Sequence, residues 1–212
     1  MPTGHIQVDP FRGLVEVIVS GDSATAIRLL EASPLLARQS LAKGATRETP
    51  KQNFFEQIRH YMYSGDTALH MAAAACQLPV VEKLIAMGAD VCARNRRGAE
   101  PLHYAVDGGP GLPSWNAAAQ CKIIATLIRS GADPNAVDKS GVAPLHRAIR
   151  NRCADAVEAL IDGSADSHAP NRNGSTPMLL ATHNTGKSGS GSTEAKVQQE
   201  QILRILAECG AS

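Results

Sequence analysis

Apolar residues recur along the chain in short paired sets: Val80, Val81, Leu84 and Ile85; Ile123, Ile124, Leu127 and Ile128; then Val157, Leu160 and Ile161. That spacing puts each set on one face of a helix. Upstream of each set stands a block that opens with glycine and closes on alanine. Gly65-Asp66-Thr67-Ala68-Leu69-His70-Met71-Ala72 is echoed by Gly98-Ala99-Glu100-Pro101-Leu102-His103-Tyr104-Ala105 and by Gly141-Val142-Ala143-Pro144-Leu145-His146-Arg147-Ala148. A last copy reads Gly174-Ser175-Thr176-Pro177-Met178-Leu179-Leu180-Ala181. A second element keeps step with the first: Gly88-Ala89-Asp90, Gly131-Ala132-Asp133, Ser164-Ala165-Asp166 and Gly210-Ala211-Ser212. Each unit therefore predicts a turn, a short helix, a second turn, a second helix and an extended loop to the next unit.

The opening glycines are 33, 43 and 33 residues apart. This period, with the Thr-Pro-Leu-His-x-Ala pattern and the Gly-Ala-Asp element, resembles the ankyrin repeat family over about residues 64–212. The resemblance implies an all-α ankyrin-repeat solenoid of about five helix-turn-helix units joined by extended hairpin-like loops. One domain is expected over 1–212, with a divergent N-terminal unit at 1–36, a long connection at 37–64, and repeats at 65–97, 98–140, 141–173 and 174–212. In the first unit Asp9 caps a helix that Pro10 opens, Leu14, Val15, Val17 and Ile18 give the apolar face, and Gly21-Asp22 turns into a second helix carrying Ala26, Ile27, Leu29 and Leu30.

Two interruptions, 108–117 and 185–193, fall between the two helices of their units, where insertions leave a stack intact. The first is expected to be dispensable for folding, because loop closure grows only slowly costlier with length. In the long connection, NFFEQIRHYMY holds four of the seven aromatics. It predicts a short helix from Asn53 with Phe54, Ile58 and Tyr61 near one face, either capping the stack or offering anchors to a partner.

Composition narrows the function. The 212 residues carry 21 Lys+Arg against 20 Asp+Glu, which argues against a partner recruited by global positive charge. No apolar run reaches membrane-span length, and the first residues lack the basic and apolar regions of a signal peptide. Five cysteines (Cys76, Cys92, Cys121, Cys153, Cys209) make an odd number without a CxxC, so a reducing, cytoplasmic setting is expected. Cys76 and Cys153 read as equivalent positions, and the cysteines as small buried fillers.

His70, His103 and His146 recur in register about one repeat apart, too far to converge on one ion. The resemblance implies that each ring bonds to neighbouring backbone and ties loop to helix. Gly186-Lys187-Ser188 looks like the tail of a phosphate loop, but the glycine required five residues earlier is Ala181. Gly189-Ser190-Gly191 has the wrong spacing for a nucleophile elbow. No catalytic residue, cofactor or metal is expected.

The resemblance implies binding through the loop tips and first helices, which line a concave face. By motif alignment the tips supply Arg96, Arg97 and Ala99, then Lys139, Ser140 and Val142, then Arg172, Asn173 and Ser175. The helix ends supply Ala74, Ala75, Asp107, Arg150, Asn151, His183 and Asn184, with Arg94 and Arg152 close by. Trp115, the only tryptophan, either plugs the stack or anchors a partner. The reading is a monomeric, non-catalytic protein-interaction module for an acidic partner, with Arg96, Arg97, Lys139, Val142, Arg150, Arg172, Asn173 and Trp115 as contact residues. The alternative is a nucleic-acid-associated regulator that sets its basic tips on phosphates; the near-zero net charge and the lack of a reading helix weigh against it.

Overall fold

The computed structural model describes residues 9–48, 51–110, 112, 115–183 and 192–211. Asp9 starts the first helix: its carboxylate accepts the Phe11 amide at 3.1 Å. Pro10 follows at a position whose N–H would lack an intrahelical partner anyway, and α1 runs Pro10–Ser20. It buries Phe11, Leu14, Val15, Ile18 and Val19, and stops at Gly21. Asp22 then caps α2 (Ser23–Ala32) by accepting the Thr25 amide at 2.9 Å. The helix pair expected in the first 36 residues is present.

The alternation continues as α3 (Ala68–Ala74) and α4 (Leu78–Ala86), α5 (Pro101–Ala105) and α6 (Ala117–Arg129), α7 (Pro144–Arg150) and α8 (Ala154–Asp162), and α9 (Pro177–Thr182) and α10 (Thr193–Glu208). First helices pack in one layer, α1 on α3, then α5, α7 and α9. Second helices pack in the other, α2 on α4, then α6, α8 and α10. The result is an all-α solenoid. The paired apolar sets fill the space between the layers, with Val80, Val81, Leu84, Ile123, Ile124, Leu127, Val157 and Leu160 fully buried. Ala68, Ala72 and Ala73 are fully buried too.

Gly65 and Gly141 show why each motif block opens on glycine. Both have positive φ, 87° and 69°. A Cβ at Gly65 would lie 2.8 Å from the Asn95 Cα, and one at Gly141 2.7 Å from the Arg172 Cβ. Successive tips are stacked too closely for a side chain there.

The long connection departs from expectation. Phe54–Phe55 (β1) and His60–Tyr61 (β2) form an antiparallel hairpin rather than a helix. Its cross-strand pair, Phe54 and Tyr61, has ring centroids 4.6 Å apart, while Phe55, Ile58 and Met62 are buried in the core. A helix from Asn53 would also set Phe55, Ile58 and Met62 on one face, so apolar burial alone does not separate the two forms. The hairpin adds the backbone pairing of Phe54 with Tyr61 and Phe55 with His60, and the Met62 N–H donates to the Asn53 carbonyl at 2.8 Å. The aromatic and β-branched content also suits strand geometry. The Leu41 N–H donates to the Asp66 carbonyl at 2.8 Å, tying the connection to the first repeat, and the Ala45 N–H donates to the Met62 carbonyl at 2.8 Å, folding the connection on itself.

The 108–117 insertion is more than an excursion. Trp115 is half-buried against the core and its indole N–H donates to Gln120 Oε1 at 2.9 Å. Gln120 Nε2 in turn donates to the carbonyls of Ala105 (2.8 Å) and Gly108 (3.0 Å), closing the end of α5 onto α6. The interruption of the last unit, between α9 and α10, falls almost wholly outside the described residues, and with it Asn184, Gly186-Lys187-Ser188 and Gly189-Ser190-Gly191.

The cysteine reading needs two corrections. Cys76 corresponds to Arg152, not to Cys153: both sit just past a first helix with positive φ, 54° and 56°. Only Cys153 is buried; Cys92 and Cys209 are exposed, Cys76 and Cys121 intermediate.

Candidate functional site

The tips at Gly98, Gly141 and Gly174, the second to fourth along the stack, are each closed by the side chain three residues before the glycine. Asn95 Oδ1 accepts the amides of Arg97 (2.8 Å) and Ala99 (3.1 Å). Asp138 Oδ1 does the same for Ser140 (2.8 Å) and Val142 (3.1 Å), and Asn171 Oδ1 for Asn173 (2.9 Å) and Ser175 (3.1 Å). Sequence reasoning overlooked this trio, although its fixed offset from the glycines is visible in the chain and Asx side chains are known turn closers. Neighbouring tips are then joined backbone to backbone, Arg96 N–H to Ser64 O at 2.8 Å and Lys139 N–H to Arg97 O at 2.9 Å.

Behind the tips stand the three histidines. Nδ1 of His70, His103 and His146 accepts the amide of Thr67, Glu100 and Ala143 respectively, each at 3.1 Å. Nε2 reaches forward to a loop carbonyl: His70 to Ala99 (3.1 Å), His103 to Val142 (3.1 Å) and His146 to Ala169 (3.0 Å). Because Nδ1 accepts an N–H, the proton sits on Nε2 and the rings are neutral. Burial lowers the pKa of all three, that of His103 to about 4, with Arg147 adding to the effect there. The backbone tether that the resemblance implied is present in each unit that has the histidine.

Between the second and third tips lies a recess of about 280 Å³. Arg97, Ser140 and Val142 come to it from the tips, Tyr104, Asp107, Arg147 and Arg150 from α5 and α7 and their ends, and His60 and Tyr63 from the hairpin segment. A chain of charges crosses its floor. Arg147 donates through Nη1 to Asp107 Oδ2 (2.9 Å) and through Nη2 to Asp138 Oδ2 (2.8 Å). His60 Nε2 is 3.0 Å from the same Asp107 oxygen. Burial works against the Asp107 carboxylate, but Arg147 and His60 override it and hold the pKa at about 2. Burial likewise opposes protonated His60, and Asp107 overrides it, leaving the imidazole pKa raised. Below the floor Tyr104 donates to Asp66 Oδ2 at 2.9 Å; burial and Asp66 push the phenol well above its ordinary range.

Arg96, Arg97, Lys139, Arg150, Arg172 and Asn173 are all exposed. Arg96 and Arg97 both lie over the Tyr63 ring, at 5.4 and 5.1 Å from its centroid, and Arg97 Nη1 donates to the Tyr63 hydroxyl at 3.1 Å. The recess gathers Arg97, Val142 and Arg150; Trp115 is not among its lining residues. Arg152 is buried, giving its guanidinium to the carbonyls of Ala181 (3.1 Å) and His183 (2.8 Å), so it is an interior tie rather than a surface cation. Ala74, Ala75 and Ala99 are buried as well. Arg94 pairs with Glu100 at 2.9 Å. The second helices carry exposed Glu82, Asp155, Glu158 and Asp162, but also exposed Lys122 and Arg129, so charge is not segregated by layer.

A family model described as ankyrin repeats, three copies, matches residues 115–212, and one described as ankyrin repeat matches 64–96. The chain belongs to the ankyrin repeat family. The helix pair α1–α2 and the hairpin lie outside the matched ranges. No curated protein matches the chain. Ankyrin repeats are generally protein–protein interaction modules and typically non-catalytic. Among the described residues no helix is long and apolar enough to cross a membrane.

Proposed function

We propose that this ankyrin array is a non-catalytic interaction module that presents a concave surface of loop tips and first helices to an acidic segment of a protein partner. One observation carries the reading. Arg96, Arg97, Lys139 and Arg172 sit on consecutive tips that bond or abut one another, and Arg150 continues the series into the recess. A rigid ladder of tips holds these cations in place before any partner arrives, which lowers the ordering cost of binding. The whole of 1–212 acts in this reading as one monomeric array with the unit boundaries given above. Val142 and Asn173 belong to the same tip surface; Trp115 contributes through the stack and not as an anchor.

A random-peptide display library selected on the wild-type protein tests the reading. Acidic peptides are expected to be enriched, and Arg97→Glu with Lys139→Glu to slow their association while sparing the fold. Each exposed pair adds only about 0–1 kcal/mol, so the association rate is the sensitive measure. The control, Glu82→Lys with Glu158→Lys, alters second helices only. If the control weakens binding more than the tip pair does, the proposal fails. Random-sequence duplex DNA that shifts the protein on a gel, with affinity falling steeply with salt, would replace it with the nucleic-acid reading.

A further inference from the structure

We infer that the recess between the second and third tips is a subsite for one carboxylate side chain of the bound segment, received between Arg97 and Arg150. The inference rests on the acidic-partner reading and narrows it to one place and one chemical group.

The charge arrangement carries it. The recess has two carboxylates of its own, and both are already engaged. Asp107 accepts from Arg147 at 2.9 Å and meets His60 at 3.0 Å. Asp138 accepts from Arg147 at 2.8 Å on one oxygen and from two tip amides on the other. Arg147 is thus consumed by the floor. Arg97 and Arg150 also line the recess, and among the described residues neither forms an ion pair with a carboxylate. Two guanidinium groups facing one concavity without a counter-charge favour an incoming anion over any neutral group.

Shape and lining fix what kind of anion. A volume of about 280 Å³ takes a side chain but not a helix, whose diameter is roughly 10 Å. An apolar side chain would desolvate the guanidinium groups and return no hydrogen bond. A carboxylate matches their forked donors. Arg97 is oriented in advance: its Nη1 is bonded to the Tyr63 hydroxyl, and a guanidinium carries four further N–H donors. Tyr63 itself belongs to the segment that precedes the first clear repeat, so the subsite needs the connection as well as the repeats.

The test takes peptides enriched from the display library and replaces each Asp or Glu in turn by Asn or Gln. In the wild type one acidic position is expected to dominate, its amide variant binding about tenfold more weakly. In Arg97→Gln/Arg150→Gln the same replacement should have almost no further effect. In Arg172→Gln, where overall affinity falls, it should still count in full. Both arginines are exposed, so circular dichroism melts should stay close to wild type; Arg150→Gln alone provides the same cycle if the double variant melts early. An acidic position whose effect persists undiminished in the double variant overturns the subsite while leaving acidic docking intact. A library that enriches no acidic peptide overturns both.

Discussion

The imidazole of His60 and the carboxylate of Asp107, 47 residues apart in the chain, meet at 3.0 Å on the floor of the recess. The contact fastens the hairpin to the end of α5, and Arg147 shares the same carboxylate.

Loss of this contact is expected to be visible against pH. The folded pKa of His60 lies above its ordinary 6.5, so its stabilisation is complete below about 6.5 and fades as pH rises through the folded value. His60→Ala should therefore lower the melting temperature more at about pH 6 than at about pH 9. Equal losses at the two values would show that the ring acts by packing alone, through its tilted contact with Tyr104 at a centroid distance of 4.3 Å.

The three staple histidines should make the stack acid-sensitive in the opposite sense. Their folded pKa values are depressed, so the unfolded chain binds protons first and stability declines as pH falls below about 6.5. For His103, with a folded value of about 4, the full loss is about 3 kcal/mol. Denaturant titrations between neutral and acid pH measure it. His103→Ala should lower stability at neutral pH and flatten the acid slope, and the purified wild type should carry no stoichiometric zinc. An unchanged slope would show that acid unfolding is set elsewhere.

Glu100 stands where the repeat pattern has threonine. Its Oε1 pairs with Arg94, but Oε2 is buried without a hydrogen-bond partner, and burial raises its pKa. Glu100→Thr restores a capping hydroxyl and removes the orphan oxygen. The expected gain is about 1 kcal/mol, a rise of a few degrees in melting temperature. A fall would show that the Arg94 ion pair outweighs the orphan.

Trp115→Ala should cost about 2–3 kcal/mol, below the roughly 3–5 kcal/mol of a fully buried aromatic because the side chain is only half-buried. Peptide binding measured on the folded variant should be unchanged. The same geometry reverses the expectation that the insertion can be cut out freely. Deleting 108–117 removes both Trp115 and Asn116, whose side chain caps α6 by accepting the Ala119 amide at 2.9 Å. The deletion should melt earlier than Trp115→Ala; a deletion as stable as the wild type would mean that neither contact matters.

What the chain alone determined is local and periodic. Thr67 and His70, or Asp9 and Phe11, lie within one helical turn of each other, so a motif specifies their contact before any tertiary structure forms. The apolar pairs on second helices are likewise legible, because a helical period permits only one buried face. The recess was not legible, because its parts come from segments separated by tens of residues. Arg147 reads as an ordinary helix position until stacking brings Asp107 and Asp138, from opposite ends of the preceding unit, within reach of its two nitrogens. Arg152 reads as a surface cation until α9 places two carbonyls in front of it. The hairpin at 54–61 was decided by tertiary contact as well, since both Phe54, Ile58 and Tyr61 and the buried Phe55, Ile58 and Met62 satisfy a helical period. The folded chain selects the hairpin through contacts across the sequence, the pairing of Phe54 with Tyr61 and Phe55 with His60 and the Ala45 N–H donating to the Met62 carbonyl.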